Sequence, residues 1–442
     1  MNRQWVRSTI TAFLLLAITV LPGCWNRRET GDLAIVGAIA LDELEEGKVF
    51  VSVEVLNPLV LAVGVGAGTA GDELPVAWVL REESITISNA LANINRRSPR
   101  RLFIGQVSNI IFGQNLARAG IGPYLDFFAR QGKFRRSVLV NVCDSASGLL
   151  QRPFIDPVPS LSLEGLSATA ASAGRATAVD LNEFLLKLAE PGIEPIAMHT
   201  AGRETEDLFI KAQGAEVEQD LPSVKRQQPV DSDESLPGTV PQESPVLDPL
   251  RQHGAAEPVP GLTVLLGLSV FREDRLRGFL DGLHARGYLW AVGRLREGEV
   301  QLSEPLGKKG AITFQIVRVG SSIIPVIEGR DVRMKVDIDV DVQVEEITAH
   351  HVVLGDSKVL TQLSGELNQL IEKEVRDTLN IVQEAFQSDI YGFGQSVYRK
   401  APKLWQDLEA DWNEEIFPHL PVDINVQSRI RASGMMIREP GH

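Results

Sequence analysis

VRMKVDIDVDVQV, residues 332–344, decides the fold class. Val332, Met334, Val336, Ile338, Val340, Val342 and Val344 alternate with Arg333, Lys335, Asp337, Asp339, Asp341 and Gln343. Strict period two places one set on a buried face and the other on a wet face, as in an antiparallel strand over a core. The next long pattern has a different period. Leu360, Leu363, Leu367, Leu370, Ile371, Val375, Leu379, Val382 and Phe386 recur at three- and four-residue steps, the apolar stripe of an amphipathic helix. Glu372 and Arg376 form an i,i+4 pair on its other face. Val422–Ile430 alternates again and predicts a closing strand.

Working toward the N-terminus, the same rules predict strands at Leu265–Phe271 and Leu289–Gly293, a turn at "REDR", and a further element beginning at Leu276. A helix is expected over Val179–Ala189, stopped by Pro191. Strands are expected at Leu33–Leu41, Phe50–Leu56, Leu102–Phe112 and Ser137–Val142. A helix is expected over Ser84–Asn95 with Ser84 as its cap, and a broken helix pair over Gln114–Ala129. Residues 203–260 carry repeated prolines among acids and few aromatics, which predicts an extended or disordered insertion. The fold class is α+β and multi-domain, with antiparallel or mixed sheets each packed with helices on one side. The expected segments are a leader (1–23), an N-terminal domain (24–155), a middle domain carrying the insertion (156–307), and a C-terminal domain (308–442).

The leader is the sharpest functional signal. Arg3 and Arg7 precede an apolar run, Ile10–Leu21, too short for a comfortable membrane span and typical of a signal peptide. The run ends in Leu21-Pro22-Gly23-Cys24, which resembles the lipobox of bacterial lipoproteins. That resemblance implies diacylglycerol on the Cys24 sulfur and cleavage before it. Two acyl chains give stable anchoring where one gives marginal binding.

Composition excludes several function classes. The net charge is -14, and removing residues 1–23 makes it more negative, because they hold Arg3 and Arg7 and no acid. General nucleic-acid binding needs a basic footprint and is excluded. Two cysteines, Cys24 and Cys143, cannot staple 442 residues, and Cys143 in the apolar run "VLVNVC" reads as a buried thiol. Gly66-Ala67-Gly68-Thr69-Ala70-Gly71 fits G-x-G-x-x-G, yet Asp72, Glu73 and Pro75 follow where a dinucleotide site needs a helix N-terminus. It reads as a loop. Asp337, Asp339 and Asp341 form a flat row on one strand face, whereas Ca²⁺ needs oxygens converging on a point. No H-E-x-x-H, G-x-S-x-G or P-loop pattern occurs, so no metal, cofactor or catalytic residue is assigned.

Against this acidic background two basic clusters stand out: Arg96, Arg97, Arg100, Arg101, and Arg130, Lys133, Arg135, Arg136. A run of like charges is ordinarily a solvated surface. The functional alternative is a docking face for a membrane partner or lipid headgroups, with Arg96, Arg97, Arg100 and Arg101 as its contacts.

Four stretches taken in order carry a family resemblance: "GCWNRRET…LAIVGAIALD", "RRLFIGQVSNIIFGQNLARAGIGPYLDFFARQGKFRR", "GLSVFREDRLRGFLDGLHARGYLW", and "DIYGFGQSVYRKAPKLWQDLEADWNEEIFPHLPVDINVQSRIRASG". Together they resemble the Ger(x)C family, the lipoprotein subunit of bacterial spore nutrient-germinant receptors. Gln106 and Gln131-Gly132 stand where the resemblance predicts His and Arg-Asp. The resemblance implies a non-enzymatic α+β lipoprotein outside the spore inner membrane. It would support assembly or signal coupling of integral membrane subunits, and it brings no catalytic residues or cofactor. Two rivals remain open from the sequence: a solute-binding lipoprotein of a transporter, which needs a hinged ligand cleft, and a surface hydrolase, which needs a nucleophile and base.

Overall fold

The computed structural model describes residues 32–58, 75–152, 157–202, 263–349, 352, 354 and 356–431. Cys24, the Gly66–Gly71 stretch, the insertion at 203–260, and His350 and His351 lie outside them. The first part of the chain forms β1 (Leu33–Glu43), β2 (Val49–Leu56), β3 (Ala77–Ser84), α1 (Ile87–Arg97), β4 (Arg101–Phe103), β5 (Asn109–Gly113), α2 (Gln114–Ala119), α3 (Gly122–Arg130) and β6 (Leu139–Cys143). It continues through α4 (Ala146–Leu149), α5 (Pro159–Ser172), α6 (Leu181–Ala189), β7 (Ile196–Gly202), β8 (Thr263–Arg272), β9 (Arg275–Asp281) and α7 (Gly282–Ala291). Then follow β10 (Glu299–Ser303), β11 (Ala311–Glu328), β12 (Asp331–Ile347), α8 (Ser357–Asn380), α9 (Phe393–Lys400), α10 (Pro402–Leu408) and β13 (Val422–Arg431).

These strands make two sheets. The nine-stranded sheet has the order β3-β2-β1-β5-β6-β7-β8-β9, with β4 also beside β1. It is mixed: β1 runs antiparallel to β2 and parallel to β5, and β8 and β9 form an antiparallel hairpin. The four-stranded sheet has the order β10-β11-β12-β13. The α+β class of mixed sheets packed with helices therefore holds. The boundary expected near residue 155 falls within the span of the first sheet, because β6 and β7 pair across it. The boundary expected near 308 falls between β10 and β11 of the second.

β12 follows its sequence pattern except at Asp341, which is buried and not wet. Met334, Val336, Ile338, Val340 and Val342 are buried against α8, whose Leu363, Leu367, Ile371 and Val375 face the same core. The row of aspartates on the other face is matched by β13. Asp341 accepts from Arg429 Nε at 2.9 Å and Arg431 Nη2 at 2.8 Å, and Asp337 from Lys335 Nζ and Asn425 Nδ2. The parallel register that sets Asp341 opposite Arg429 makes this pairing possible.

Four sequence expectations are corrected. The first sheet is covered on both faces, not one. Its second face packs on α4 and α5 through Ala38, Ala40, Ile111, Cys143 and Leu163. Hence Ser52 and Glu54, on the polar side of β2, are fully buried. Glu54 accepts from Ser160 N at the start of α5, and burial raises its pKa. Leu289–Gly293 is not a strand. It belongs to α7 and the turn after it, because Asp281 accepts from Leu283 N and His284 N and starts a helix there. Leu102–Phe112 is two strands, β4 and β5, separated by a turn at Ile104–Gln106. The cap of α1 is Thr86, whose Oγ1 accepts from Asn89 N at 3.3 Å; Ser84 Oγ instead accepts from Thr86 N.

Among the contacts that join the sheets, two are built on carboxylates that accept several hydrogen bonds. α7 lies on α8 with Gly287 at the crossing, where a Cβ would sit 2.3 Å from the Glu374 carbonyl oxygen. There Glu374 accepts from Arg286 Nε and Trp290 Nε1, both at 2.9 Å. The second contact is built around Asp389, which is fully buried. Its carboxylate accepts from the amides of Gly392 (2.9 Å), Phe393 (3.1 Å) and Gly394 (2.7 Å) and from Trp412 Nε1 (3.0 Å). The turn so formed presses Gly394 on two indoles; a Cβ there would lie 2.6 Å from Trp405 and 2.8 Å from Trp412 Nε1. Glu194, before β7, donates its amide to the Asp389 carbonyl at 2.8 Å. Its own carboxylate accepts from Asn413 Nδ2 at 2.6 Å and from the Glu273 amide.

Removing the Asp389 acceptor leaves four donors unpaired in a closed site. Asp389→Ala is expected to lower unfolding free energy by about 3–5 kcal/mol, read by urea denaturation. A loss below about 1 kcal/mol would contradict this account of the joint.

Burial raises Glu194 from the ordinary 4.5 to about 7 and Asp389 from 3.8 to about 6. A carboxyl that holds its proton more tightly when folded contributes stability that is full below its unfolded pKa and lost as pH rises through its folded value. Between about pH 5 and about pH 8 the wild type should therefore lose stability relative to Glu194→Gln. Equal slopes in paired urea titrations would overturn the assignment.

Candidate functional site

Arg101 of the first basic cluster and Arg130 and Lys133 of the second line one groove. α1 buries Ile87, Ala90 and Ile94, which leaves Arg96 and Arg97 in its last turn, where a cation is favoured by the helix dipole. The chain then reverses: Ser98 Oγ donates to the Arg100 carbonyl at 2.7 Å, and Asn95 Oδ1 accepts from Leu102 N at 2.9 Å. This hands the chain to β4, which lies parallel to the start of β1 with Leu33 opposite Arg101 and Ile35 opposite Phe103.

α3 forms the other wall. Its position is fixed from a distance by Asp274 in the β8–β9 turn. That residue's carboxylate accepts from Gly122 N at 2.9 Å, and its carbonyl accepts from Ile121 N at 3.0 Å. Phe127, Phe128 and Phe134 then pack edge to face at centroid distances of 5.0–6.0 Å, holding the turn after α3 against the helix. Phe128 and Phe134 are buried, and Phe127 turns partly outward.

Between these walls lies a cavity of about 700 Å³ lined by Leu91, Leu102, Phe103, Ile104 and Phe127, with Arg101, Gln131 and Lys133 among its polar residues. A second cavity of about 540 Å³ adjoins it, lined by Ile85, Tyr124, Phe127 and Arg130, and shares Ser88, Phe127 and Gln131 with the first. Ile85 is 75% exposed and Phe103 37%, so the groove displays apolar surface to solvent. Burial, and then the charge of Glu43, raise the pKa of Tyr124, which keeps its phenol protonated.

The basic residues divide by partner. Arg97 turns away from the groove, pairs with Glu82 and donates to the Arg81 carbonyl. Arg96 donates to Asn93 Oδ1, and Arg130 pairs with Asp126 at 2.7 Å. Arg100, Arg101, Lys133, Arg135 and Arg136 have no carboxylate partner among the described residues. Of the four arginines singled out in the sequence, Arg101 lines the groove and Arg100 precedes it in the turn. The apolar floor escaped the sequence reading, because Phe103 was placed inside one long strand. So did Asp274, whose role depends on a contact across 152 positions.

No group of three or more His, Cys, Asp or Glu is placed to hold a metal ion among the described residues. His199 is buried and stacks on Phe279 at 3.8 Å, and His284 bonds Asp281 at 2.8 Å. Cys143 is buried, and burial raises its thiol pKa well above the ordinary value. No helix among the described residues is long and apolar enough to cross a membrane.

Comparison with known proteins adds the following. The family described as "Spore germination B3/ GerAC like, C-terminal" matches residues 266–434, and "Spore germination protein N-terminal domain" matches residues 26–199. The chain is 26% identical over 440 residues to spore germination protein KC of Bacillus subtilis (strain 168), covering 97% of each. It is 22% identical over 433 residues to putative spore germination protein YfkR of the same organism, again covering 97% of each. The crystal structure of the GerBC protein superposes with a TM-score of 0.50 at 13% identity, covering 89% of this chain and 96% of that one. At that identity the likeness is one of fold.

Because Arg101 and Lys133 make no ion pair among the described residues, Arg101→Glu and Lys133→Glu should each change stability by less than about 0.5 kcal/mol. Arg97→Ala, which breaks an exposed pair, should cost about 0–1 kcal/mol. Losses above about 2 kcal/mol for either groove residue in urea denaturation would mean that it is held by contacts within the fold.

Proposed function

The chain belongs to the GerAC-like family of spore germination proteins, and from that membership we propose that it is the C subunit of a nutrient-germinant receptor. In this reading it is a non-enzymatic lipoprotein, held through acylated Cys24 on the extracytoplasmic face of the spore inner membrane. It supports assembly or signal coupling of the integral membrane subunits.

One observation carries the membrane-facing part of this reading: Leu33, the first residue of β1, pairs with Arg101. Cys24 and Leu33 are nine positions apart, a reach of at most about 30 Å for extended chain. An acyl anchor at Cys24 would therefore keep Leu33 within that distance of the bilayer, with β4 and the groove beside it. The acidic body, at -14 overall, has no electrostatic reason to adsorb to anionic lipid, so a covalent anchor supplies what charge does not. Two acyl chains suffice for lasting attachment. Confinement to the membrane plane raises the effective concentration of the groove near any membrane partner.

Cys24→Ser is expected to move the protein from the carbonate-washed membrane fraction to the soluble fraction, and to reduce nutrient germination to the level of a deletion strain. A mutant that stays with the washed membrane would exclude the lipid anchor. A deletion strain that germinates normally on every nutrient, with no paralogue present, would exclude the receptor role.

A further inference from the structure

We infer that the groove between α1 and α3 binds an amphipathic helix with an acidic face, contributed by a partner at the membrane surface. The shape comes first. Two adjoining cavities, of about 700 and 540 Å³, share Phe127 and form one channel alongside two helices. A helix presenting leucine-like side chains at i, i+3, i+4 and i+7 fits such a channel as a third helix on a pair. Leu91, Leu102, Phe103 and Phe127 would receive that apolar stripe. A planar bilayer would meet the rim at Ile85 and Phe103 but could not reach a concave floor.

Charge selects the sign of the partner. Arg101 and Lys133 stand on the groove lining without a carboxylate among the described residues, and Arg100, Arg135 and Arg136 continue the same charge along the neighbouring chain. Among the described residues, the one carboxylate on the lining of these two cavities is Asp126, which Arg130 already occupies. An acidic helix would be repelled by most of a protein with net charge -14 and attracted to this one face. Such contrast fixes the register and orientation of a complex more than its affinity.

The location rests on the anchored-subunit reading, since the span from Cys24 to Leu33 is what brings the groove to the bilayer. The binding chemistry does not. The test therefore uses the chain begun at residue 24 and carrying Cys24→Ser, without lipid.

The probe is a fluorescent helical peptide of about 14 residues with leucines at i, i+3, i+4 and i+7 and glutamates on its flanks, paired with a version carrying lysines instead. The acidic peptide should bind, as read by anisotropy, and the basic one should not. Arg101→Glu with Lys133→Glu should weaken the acidic peptide about tenfold or more and lower the salt dependence. Phe103→Ser should weaken it as well while leaving the melting curve unchanged, which separates the apolar floor from the charges. No binding, or equal binding of both peptides, would overturn the proposal. Binding instead to phosphatidylglycerol vesicles, lost with the same charge reversals, would also overturn it and assign the groove to the bilayer. Because this assay contains no anchor, its failure is separate from a failure of Cys24→Ser to release the protein.

Discussion

The fold depends on one buried carboxylate. Asp389 accepts four hydrogen bonds in a site closed to water, and so fixes a tight turn against two tryptophans. Burying a charge is costly unless its acceptor sites are filled, and here they are. From this point a continuous line of polar contacts crosses the molecule. The Asp389 carbonyl takes the Glu194 amide; Glu194 takes the amide of Glu273; Asp274, next in the chain, takes the first amides of α3. Thus the position of one groove wall is tied, through the β8–β9 turn, to the joint between the sheets. The other wall is tied to β1 by the β4 pairing. Neither wall is a free loop.

How much of this was legible in the sequence follows from burial geometry. β12 and α8 were read correctly because each buries one face, so their periods show. α5 left no mark. Its buried residues include Pro159, Ser160, Ser162 and Ser167, small or polar groups lying on the second face of the first sheet. Without an apolar stripe there was no period to see. The same helix explains why Ser52 and Glu54, the polar residues that alternate with valines in β2, are buried. α7 was misread for the opposite reason: a short run buried all round, "GYLWA", gives no period either, and only the Asp281 cap identifies its start. At the groove, the charges were visible because arginines are conspicuous in an acidic chain. Their convergence was not. It is created by β4 pairing with β1 and by a contact between residues 122 and 274.

These features combine into a division of labour along the chain. The second sheet and α8 form a packed body whose polar row is neutralised from within by Arg429 and Arg431. The first sheet presents a basic, apolar-floored groove beside the start of β1. A subunit of this kind acts by where it is held and what it holds. In the proposed reading, attachment at Cys24 would confine it to the membrane plane, and charge contrast would turn one face toward a partner. The family's name for its members is consistent with such a part in spore germination.

The proposed reading stands on an anchor at Cys24 that keeps the groove near the bilayer. Energy transfer to acceptor-labelled lipid in vesicles tests it most directly. With Cys24 acylated and Cys143 buried, a thiol introduced at Ser98, beside the groove, or at Arg330, in the β11–β12 turn, is the one open to labelling. The account predicts markedly stronger transfer from position 98 than from position 330. Equal transfer, or stronger transfer from position 330, would contradict it.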